Sequence, residues 1–237
     1  MVLPKLFLII FTLCSFVGYS QPMSMLLVKK RSTGASVINT GYKIATGSGT
    51  TTTGNINTVG ASEIKVCLAD RSGTTSTPNL TDNMGNTWTV IRNDKEGSSP
   101  QILGTVIMRC FSCTTSATHT FSTTDAFTSI YVVVISGTSA DDQNSGAVAQ
   151  PVNMQPGSIT PTVVNTVNVV MAMGYLSTST PTTPTGYTAV GGTPFVSGQA
   201  YASACFYKVL STVASENPTS SLSIGQPFAE ISQANSK

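Results

Sequence analysis

Two cysteines three positions apart are the first feature of this sequence with the potential for chemistry. Cys110-Phe-Ser-Cys113 has the C-x-x-C spacing of a redox centre, but such redox motifs open a helix in an α/β fold. Here the first cysteine ends the run 105–111, whose apolar pattern is typical of a strand. On an extended chain the two Cα atoms would lie ~10 Å apart, so a 110–113 disulfide requires a turn at Phe111-Ser112.

The sequence has one histidine, His119, in the short segment Thr-His-Thr-Phe. Triad or metal chemistry would require well-placed partners for it, and a strand histidine that fills space or bonds a loop is the favoured interpretation. No Gly-x-Ser-x-Gly, His-Glu-x-x-His or phosphate-binding glycine loop occurs. The sequence therefore predicts no catalytic residue and a protein that is not an enzyme.

Two adjacent carboxylates, Asp141 and Asp142, lie in the polar segment 137–146, which is typical of a loop. Neighbouring side chains of an extended chain point apart, so these two are not placed for the paired acid and base of glycoside hydrolysis. With Asn144 and backbone carbonyls they are candidates for binding calcium, although no EF-hand spacing is present. No other cofactor is expected.

The stretch from Leu80 to Ile91 combines a turn signal with the only tryptophan, Trp88. Residues 82–85, Asp-Asn-Met-Gly, fit a type I turn because aspartate is favoured at its first position and glycine at its fourth. Trp88 follows at an alternating strand position, which predicts a core residue rather than an exposed platform for a sugar ring. Tyr187 and the polar connections 137–146 and 177–186 are then the candidate ligand contacts.

The first twenty residues have the pattern of a secretory signal peptide. Lys5 supplies a positive charge, residues 6–17 are apolar, and the small residues Gly18 and Ser20 precede a cleavage site before Gln21. The apolar run is shorter than the ~20 residues that a bilayer requires, and no second run of that length follows. The sequence predicts an exported chain without a transmembrane span.

Four cysteines remain after removal of residues 1–20: Cys67, Cys110, Cys113 and Cys205. An even number in an exported protein indicates disulfides, and three pairings of the four are open. A four-cysteine zinc site would need a second closely spaced pair, which is absent. The cysteines are therefore predicted to be structural.

Short apolar or alternating runs separated by turn residues dominate the remaining sequence, and glycine and proline interrupt every candidate helix. This pattern predicts an all-β fold, an antiparallel two-sheet β-sandwich of jelly-roll or immunoglobulin-like type, over residues 59–237. Residues 21–58 are predicted to form an N-terminal arm or a first strand. The run 63–69 places one apolar set, Ile64, Val66 and Leu68, opposite Glu63, Lys65 and Cys67. The predicted strands are 63–69, 87–91, 105–111, 119–121, 129–136, 168–176 and 200–210, and the predicted loops are 71–79, 93–100, 137–146 and 177–186.

The charge distribution argues against a nucleic-acid partner. The formal net charge is +2, and Lys29, Lys30 and Arg31 form the only basic cluster. A nucleic-acid binder normally has a broader basic stripe interleaved with aromatic residues.

Several short signatures follow one another along the chain. They are INTVGAS (56–62), TDNMGNTWT (81–89), RCFSC before THTF (118–121), VVVISG (132–137), QPGSITPT (155–162), PTGYTAV (184–190) and ENPTS (216–220). In their order they resemble a recurring β-sandwich domain of uncharacterised exported bacterial proteins and phage virion proteins. The resemblance spans about residues 50–232 and implies a structural or adhesive sandwich, with no catalytic residue carried over.

These features together predict an exported, non-enzymatic β-sandwich at the cell surface, with a structural, adhesive or carbohydrate-binding role. The expected partner is a surface glycan, a protein or a second copy of the chain. The alternative is a phage virion accessory protein, such as a capsid decoration or fibre module. The signal peptide favours the first interpretation, because virion components normally assemble in the cytoplasm.

Overall fold

β-Strands account for all of the regular secondary structure that the computed structural model describes. The described residues are 34–97, 102–148, 153–175, 180–191, 195–196, 201–222 and 229–237. The predicted signal peptide, its cleavage site and the basic cluster lie outside these ranges. None of the described residues belongs to a helix of the length and apolarity needed to cross a membrane.

Apart from the two-residue strands β12 and β13, the described strands of the two main sheets are seven to ten residues long, and the remaining strands are shorter. In chain order they are β1 (Ser36–Lys43), β2 (Thr51–Thr52), β3 (Glu63–Asp70), β4 (Leu80–Asp82), β5 (Thr89–Glu96), β6 (Leu103–Phe111), β7 (Phe121–Thr123), β8 (Ser129–Ser136), β9 (Asp141–Ala147), β10 (Asn153–Met154), β11 (Thr166–Tyr175), β12 (Thr188–Ala189), β13 (Phe195–Val196), β14 (Tyr201–Leu210), β15 (Ser220–Ser221) and β16 (Ala229–Ser236).

Two antiparallel sheets form the body of the fold. The first sheet has the strand order β1-β8-β3-β6-β5, and the second has the order β12-β14-β11-β16-β9, with β13 also paired to β14. All the pairings in both sheets are antiparallel. The predicted all-β, antiparallel two-sheet sandwich is confirmed.

Side chains from the facing surfaces of the two sheets form the main core, as expected for a sandwich. The first sheet contributes alternate residues of β3, β6 and β8, and the second contributes alternate residues of β11 and β14. The main apolar members are Cys67, Ala69, Leu103, Ile107, Tyr131, Val133, Ile135, Val167, Val169, Met171, Met173, Tyr201 and Cys205.

Two tyrosine hydroxyls cross this core and find polar partners in the opposite sheet. Tyr131 of β8 bonds the Oγ of Ser203 on β14 at 2.8 Å, and Tyr201 of β14 bonds the Oγ of Ser129 on β8 at 2.9 Å. Because all four residues are buried, these bonds satisfy polar groups that would otherwise destabilise the core. They also fix which residues of the two sheets face each other.

The outer face of each sheet is covered as well. The small sheet β2-β7-β4 and the loop after β2, which contains Ile56, lie over the first sheet. They bury Ile64, Val66, Leu68, Val132 and Val134. Residues from the connections after β9, β11 and β14 cover the second sheet, where Met154, Tyr187 and Leu222 pack on Val170 and Phe206. The central strands are therefore buried on both faces, which accounts for the nearly continuous apolar runs in β8 and β11.

Two sequence predictions differ from the fold. The segment 137–146 was expected to be a loop, but Asp141–Ala147 forms β9, an edge strand paired with β16. The polar residues 93–96, also expected in a loop, continue β5 to Glu96. Within residues 21–58, predicted to form an arm or a first strand, Ser36–Lys43 forms β1 and pairs with β8 along nearly its whole length. Backbone pairing with a neighbouring strand outweighs the low β-propensity of Asp, Asn, Gln and Gly in these segments.

Candidate functional site

A surface pocket beside the edge strand β1 is the best candidate for a ligand site among the described residues. Its volume is about 260 Å³, which is close to the lower limit of about 300 Å³ for small-molecule sites. Residues of β1, of the loop after β2 and of the loop after β12 form its walls. The lining residues are Thr40, Gly41, Tyr42, Gly54, Asn55, Ile56 and Gly191.

Tyr42 supplies the aromatic surface of this pocket. Its side chain is 42% exposed although it lies in a strand, and its ring is nearly parallel to that of the buried Tyr131, with centroids 6.3 Å apart. A Cβ atom on Gly191 would lie 2.4 Å from the Tyr42 ring, so only glycine allows the 190–191 loop to approach this closely. The ring is therefore held in place from behind while part of its surface faces solvent.

The loop that forms the opposite wall is anchored to β1 and to the small sheet. The Asn39 side-chain amide donates to the carbonyl of Asn57 at 2.9 Å, and Ile56 makes an isolated bridge with His119. The Ile56 side chain packs against Gly41, where an added Cβ would lie 2.3 Å away. Asn55, the residue just before these anchors, is exposed at the pocket and presents an amide that both donates and accepts hydrogen bonds.

Tyr187, the predicted ligand contact, lies in a second pocket of about 260 Å³, but only 9% of its surface is exposed. Its hydroxyl accepts a hydrogen bond from Asn168 at 2.8 Å and donates to Glu216, and the Lys208 ammonium lies 5.4 Å from its ring centroid. Burial raises the pKa of this hydroxyl well above its usual value. Tyr187 thus connects the second sheet to its covering loops and has little free surface for a ligand.

Asp82, the first residue of the predicted turn, is the centre of a buried polar cluster. Its Oδ1 accepts a hydrogen bond from the Met84 N–H at 2.8 Å, and its Oδ2 accepts one from the Trp88 indole N–H at 2.9 Å. The same Oδ1 lies 3.4 Å from Nε2 of His119, whose Nδ1 bonds the Thr58 hydroxyl at 3.0 Å. The predicted turn is confirmed, since Gly85 N–H bonds the Asp82 carbonyl at 3.3 Å.

The order carboxylate, imidazole, hydroxyl resembles a catalytic triad, but substrate cannot reach it. His119 and Thr58 have no exposed surface, and the Asp82 side chain is also completely buried. His119 stacks on Phe121 with centroids 4.3 Å apart, and Trp88 meets Phe121 edge to face. The cluster attaches the small sheet to the first main sheet.

Trp88 packs against the apolar cluster on the outer face of the first sheet but is only half-buried. Its predicted position in the core is therefore only partly confirmed.

Acidification should destabilise the protein through His119. Burial lowers the pKa of His119 below 6.5, with the Asp82 carboxylate partly opposing that effect. Between the folded-state pKa and 6.5 the unfolded chain binds more protons, so stability should fall as pH drops below about 6.5. Melting temperatures measured from pH 7.5 to 5 should show this fall.

The variant His119→Gln provides the control for that experiment. Because the sequence has one histidine, the variant removes the only imidazole, and subtraction of its pH profile isolates the His119 contribution. Glu63 has a raised pKa because it is buried, and it contributes with the opposite sign in both proteins. If the melting temperature changed with pH equally steeply in the native protein and in the variant, the predicted proton linkage would be contradicted.

A glycine should be required at position 85 because of the backbone conformation there, and not because a side chain would lack space. Its φ is +72°, and an added Cβ would meet no atom within 4 Å. Gly85→Ala should therefore cost about 1–2 kcal/mol, the penalty for a side chain in the left-handed region. Urea denaturation measures the loss, and Gly47→Ala, at an equally open site without positive φ, should change stability little.

The calcium candidates do not converge. Asp141 pairs with Arg109 at 2.7 Å, whereas Asp142 accepts hydrogen bonds from the Thr162 N–H and hydroxyl and from Asn235. Asn144 is exposed on β9 and paired with Ala234. In the part of the chain that the structure describes, no three His, Cys, Asp or Glu residues are grouped so as to hold a metal. Each of the two carboxylates thus already has a protein partner, and the structure does not bring the three candidates together.

The four cysteines divide into two pairs. Cys110 and Cys113 form a disulfide with Cα atoms 5.7 Å apart, across the turn that the sequence analysis required at Phe111-Ser112. Ser112 has φ of +52°, so the chain does turn there rather than continue β6. Cys67 and Cys205 are free and buried in the main core.

Two ionisable side chains of β3 lie inside the main core, which the sequence analysis did not predict. Lys65 has no exposed surface, and its Nζ donates to the backbone carbonyl of Ala234 at 2.7 Å. Glu63 is equally buried and accepts a hydrogen bond from the Ser236 hydroxyl at 2.9 Å. Burial lowers the pKa of Lys65 and raises that of Glu63, while each charge favours the ionised form of the other. Both side chains connect β3 to the strand β16 of the opposite sheet.

No protein-family model matches the chain, and no curated protein or solved structure matches it either. The resemblance to exported and virion sandwich domains therefore stays a prediction. The arguments that follow depend on the geometry of the chain itself.

Proposed function

We propose that the protein is an exported, non-enzymatic β-sandwich that binds a saccharide at a surface through the pocket beside β1. The exposed ring of Tyr42 in this pocket is the observation that carries the proposal. A sugar ring presents an apolar C–H face and a rim of hydroxyls. An aromatic face combined with amide, hydroxyl and backbone polar groups, here Tyr42, Asn55 and Thr40, complements both parts.

The position of the pocket supports a binding role. It lies between a strand and two loops that rest on a rigid double sheet, the arrangement in which binding surfaces are most often found. The stacking of Tyr42 on Tyr131 limits its motion, so little conformational entropy is lost when a ligand binds. The one imidazole is buried in the Asp82 cluster, which supports the proposal of a non-enzymatic protein.

The virion accessory role stays an alternative prediction. No feature of the described residues favours a capsid or fibre partner over a saccharide. A native protein that binds assembled capsids and no glycan would favour that alternative.

Tyr42→Ala should weaken saccharide binding at least about tenfold, which corresponds to about 1.4 kcal/mol. The native protein and the variant are compared first for retention on a glycan array and then by titration with the best saccharide found. The melting temperature should fall by only a few degrees, because the variant loses one aromatic pair worth about 0.5–1.5 kcal/mol.

Two further variants make the test specific. Tyr42→Phe keeps the ring and should retain most of the affinity, whereas Val213→Ala, at an exposed apolar residue that does not line the pocket, should leave binding unchanged. A native protein that is retained by no saccharide, or a Tyr42→Ala variant that binds as well as the native protein, would contradict the proposal.

A further inference from the structure

Cys67 and Cys205 lie on opposite walls of the main core. Cys67 is in β3 of the first sheet, Cys205 is in β14 of the second, and both belong to the same buried apolar cluster. Tyr131, the cross-strand neighbour of Cys67 on β8, bonds the hydroxyl of Ser203, which lies two residues before Cys205 on β14, so both cysteines border this contact between the sheets. Their inward-facing neighbours Ala69 and Ser203 are small and buried.

The first sheet separates this pair from the other two cysteines. Cys67 faces the second sheet, whereas Cys110 follows Met108 by two residues in β6 and so shares its outward face. Cys113 packs against the same outer cluster as Met108. A bond from Cys67 to Cys110 or Cys113 would have to pass through the backbone of the sheet. Of the three pairings open from the sequence, only 110–113 with 67–205 agrees with the fold.

We infer that Cys67 and Cys205 form a second disulfide, which cross-links the two sheets when the chain folds in the presence of a disulfide oxidant. The new bond joins the two Sγ atoms, and both S–H bonds break. The two electrons and two protons pass to a low-molecular-weight or protein disulfide, which is reduced to two thiols. This inference does not depend on the saccharide-binding proposal.

The time at which the bond forms follows from burial. Both side chains are essentially inaccessible, and burial, together with the influence of Cys67, raises the pKa of the Cys205 thiol. Because the thiolate is the form that attacks a disulfide, exchange on the folded protein is slow. The cross-link forms while the sheets assemble, before the core closes.

Refolding the full chain under two redox conditions tests the inference. The protein is unfolded and reduced in guanidinium chloride, and is then refolded either with a mixture of reduced and oxidised glutathione or with reductant alone. Free thiols are alkylated under denaturing conditions, and the digested peptides are analysed by mass spectrometry. The expected result is a linked peptide pair containing Cys67 and Cys205 in the oxidised sample. The melting temperature of that sample should be higher by about 5–15 °C.

Two double variants show which cysteines cause the difference. Cys110→Ser/Cys113→Ser should retain most of the shift in melting temperature between the oxidised and reduced samples, and Cys67→Ala/Cys205→Ala should lose it. Recovery of Cys67 and Cys205 in alkylated form from the oxidised native protein would overturn the inference. A peptide linking Cys67 to Cys110 or Cys113 would overturn it equally. Because the peptide mapping uses the native sequence, a variant that fails to fold does not prevent a decision.

Discussion

Replacing Lys65 by methionine should lower the free energy of unfolding by about 3–5 kcal/mol, the range for leaving a buried charge without the opposite charge beside it. Methionine fills a similar volume but cannot donate to the carbonyl of Ala234, and it leaves Glu63 without its neighbouring positive charge. The change therefore removes a hydrogen-bond donor from a carbonyl of the second sheet and the neighbouring positive charge from a buried carboxylate of the first. Urea denaturation followed by circular dichroism measures the loss.

Two controls separate burial from the loss of a charge. Lys43→Met removes an exposed lysine at the end of β1 and should change stability by less than about 0.5 kcal/mol. Glu63→Gln/Lys65→Met removes both charges and should be more stable than the single Lys65→Met variant, because no unpaired charge stays in the core. If Lys65→Met cost as little as Lys43→Met, the position of Lys65 between the sheets would be wrong.

Asp82→Ala should be nearly as destabilising, with an expected loss of about 3–5 kcal/mol. The substitution removes the acceptor for the Met84 N–H and the Trp88 indole N–H, and it leaves His119 without the neighbouring carboxylate. Each buried polar group left without a partner costs about 1–3 kcal/mol. The indole should also become more exposed, so tryptophan emission should shift to longer wavelength in the folded variant.

Neighbouring substitutions show whether this loss is specific. Thr81→Ala, at the exposed neighbour in β4, should cost less than about 1 kcal/mol. Asp82→Asn keeps a hydrogen-bond acceptor of similar shape. Its loss of stability should lie between the losses of Thr81→Ala and Asp82→Ala. An Asp82→Ala variant with native stability and native emission would show that the small sheet does not depend on this cluster.

Much of the fold could be predicted because the central strands are strongly apolar and regularly spaced. The runs that became β3, β6, β8, β11 and β14 were all identified, and their ends differ by three residues or fewer. The edge strand β9 was missed because Asp, Gln, Asn and Gly predict a loop. Its strand conformation comes from backbone pairing with β16, a partner that lies far away in the sequence.

The two faces of β3 show why the core could be predicted only in part. Alternation assigned Ile64, Val66 and Leu68 to one face correctly. The opposite face, with Glu63 and Lys65, has the charges of a solvated surface, yet it faces the second sheet. The partners that make their burial tolerable, Ala234 and Ser236, are known only once β16 is placed.

The candidate site was the least predictable part. Tyr42 was not predicted to be a ligand contact, because nothing in the sequence Ser-Val-Ile-Asn-Thr-Gly-Tyr-Lys shows that its ring borders a pocket. The pocket depends on Gly191, whose approach to the ring joins segments that are remote in sequence. Tyr187 had a more suggestive context between turn residues, but its hydroxyl proved to be part of an internal network. Exposure of an aromatic ring is a property of the assembled fold.

The position of β16 has a consequence for the order of events during synthesis and folding. This strand lies between β11 and β9 in the second sheet, and it supplies the partners of Lys65 and Glu63, which are 169 and 173 residues earlier in the chain. The sandwich cannot close until residues 229–236 have left the ribosome. Folds that depend on such remote contacts form slowly. The second sheet thus stays incomplete until β16 has been synthesised, which is compatible with the proposed export of the chain before it folds.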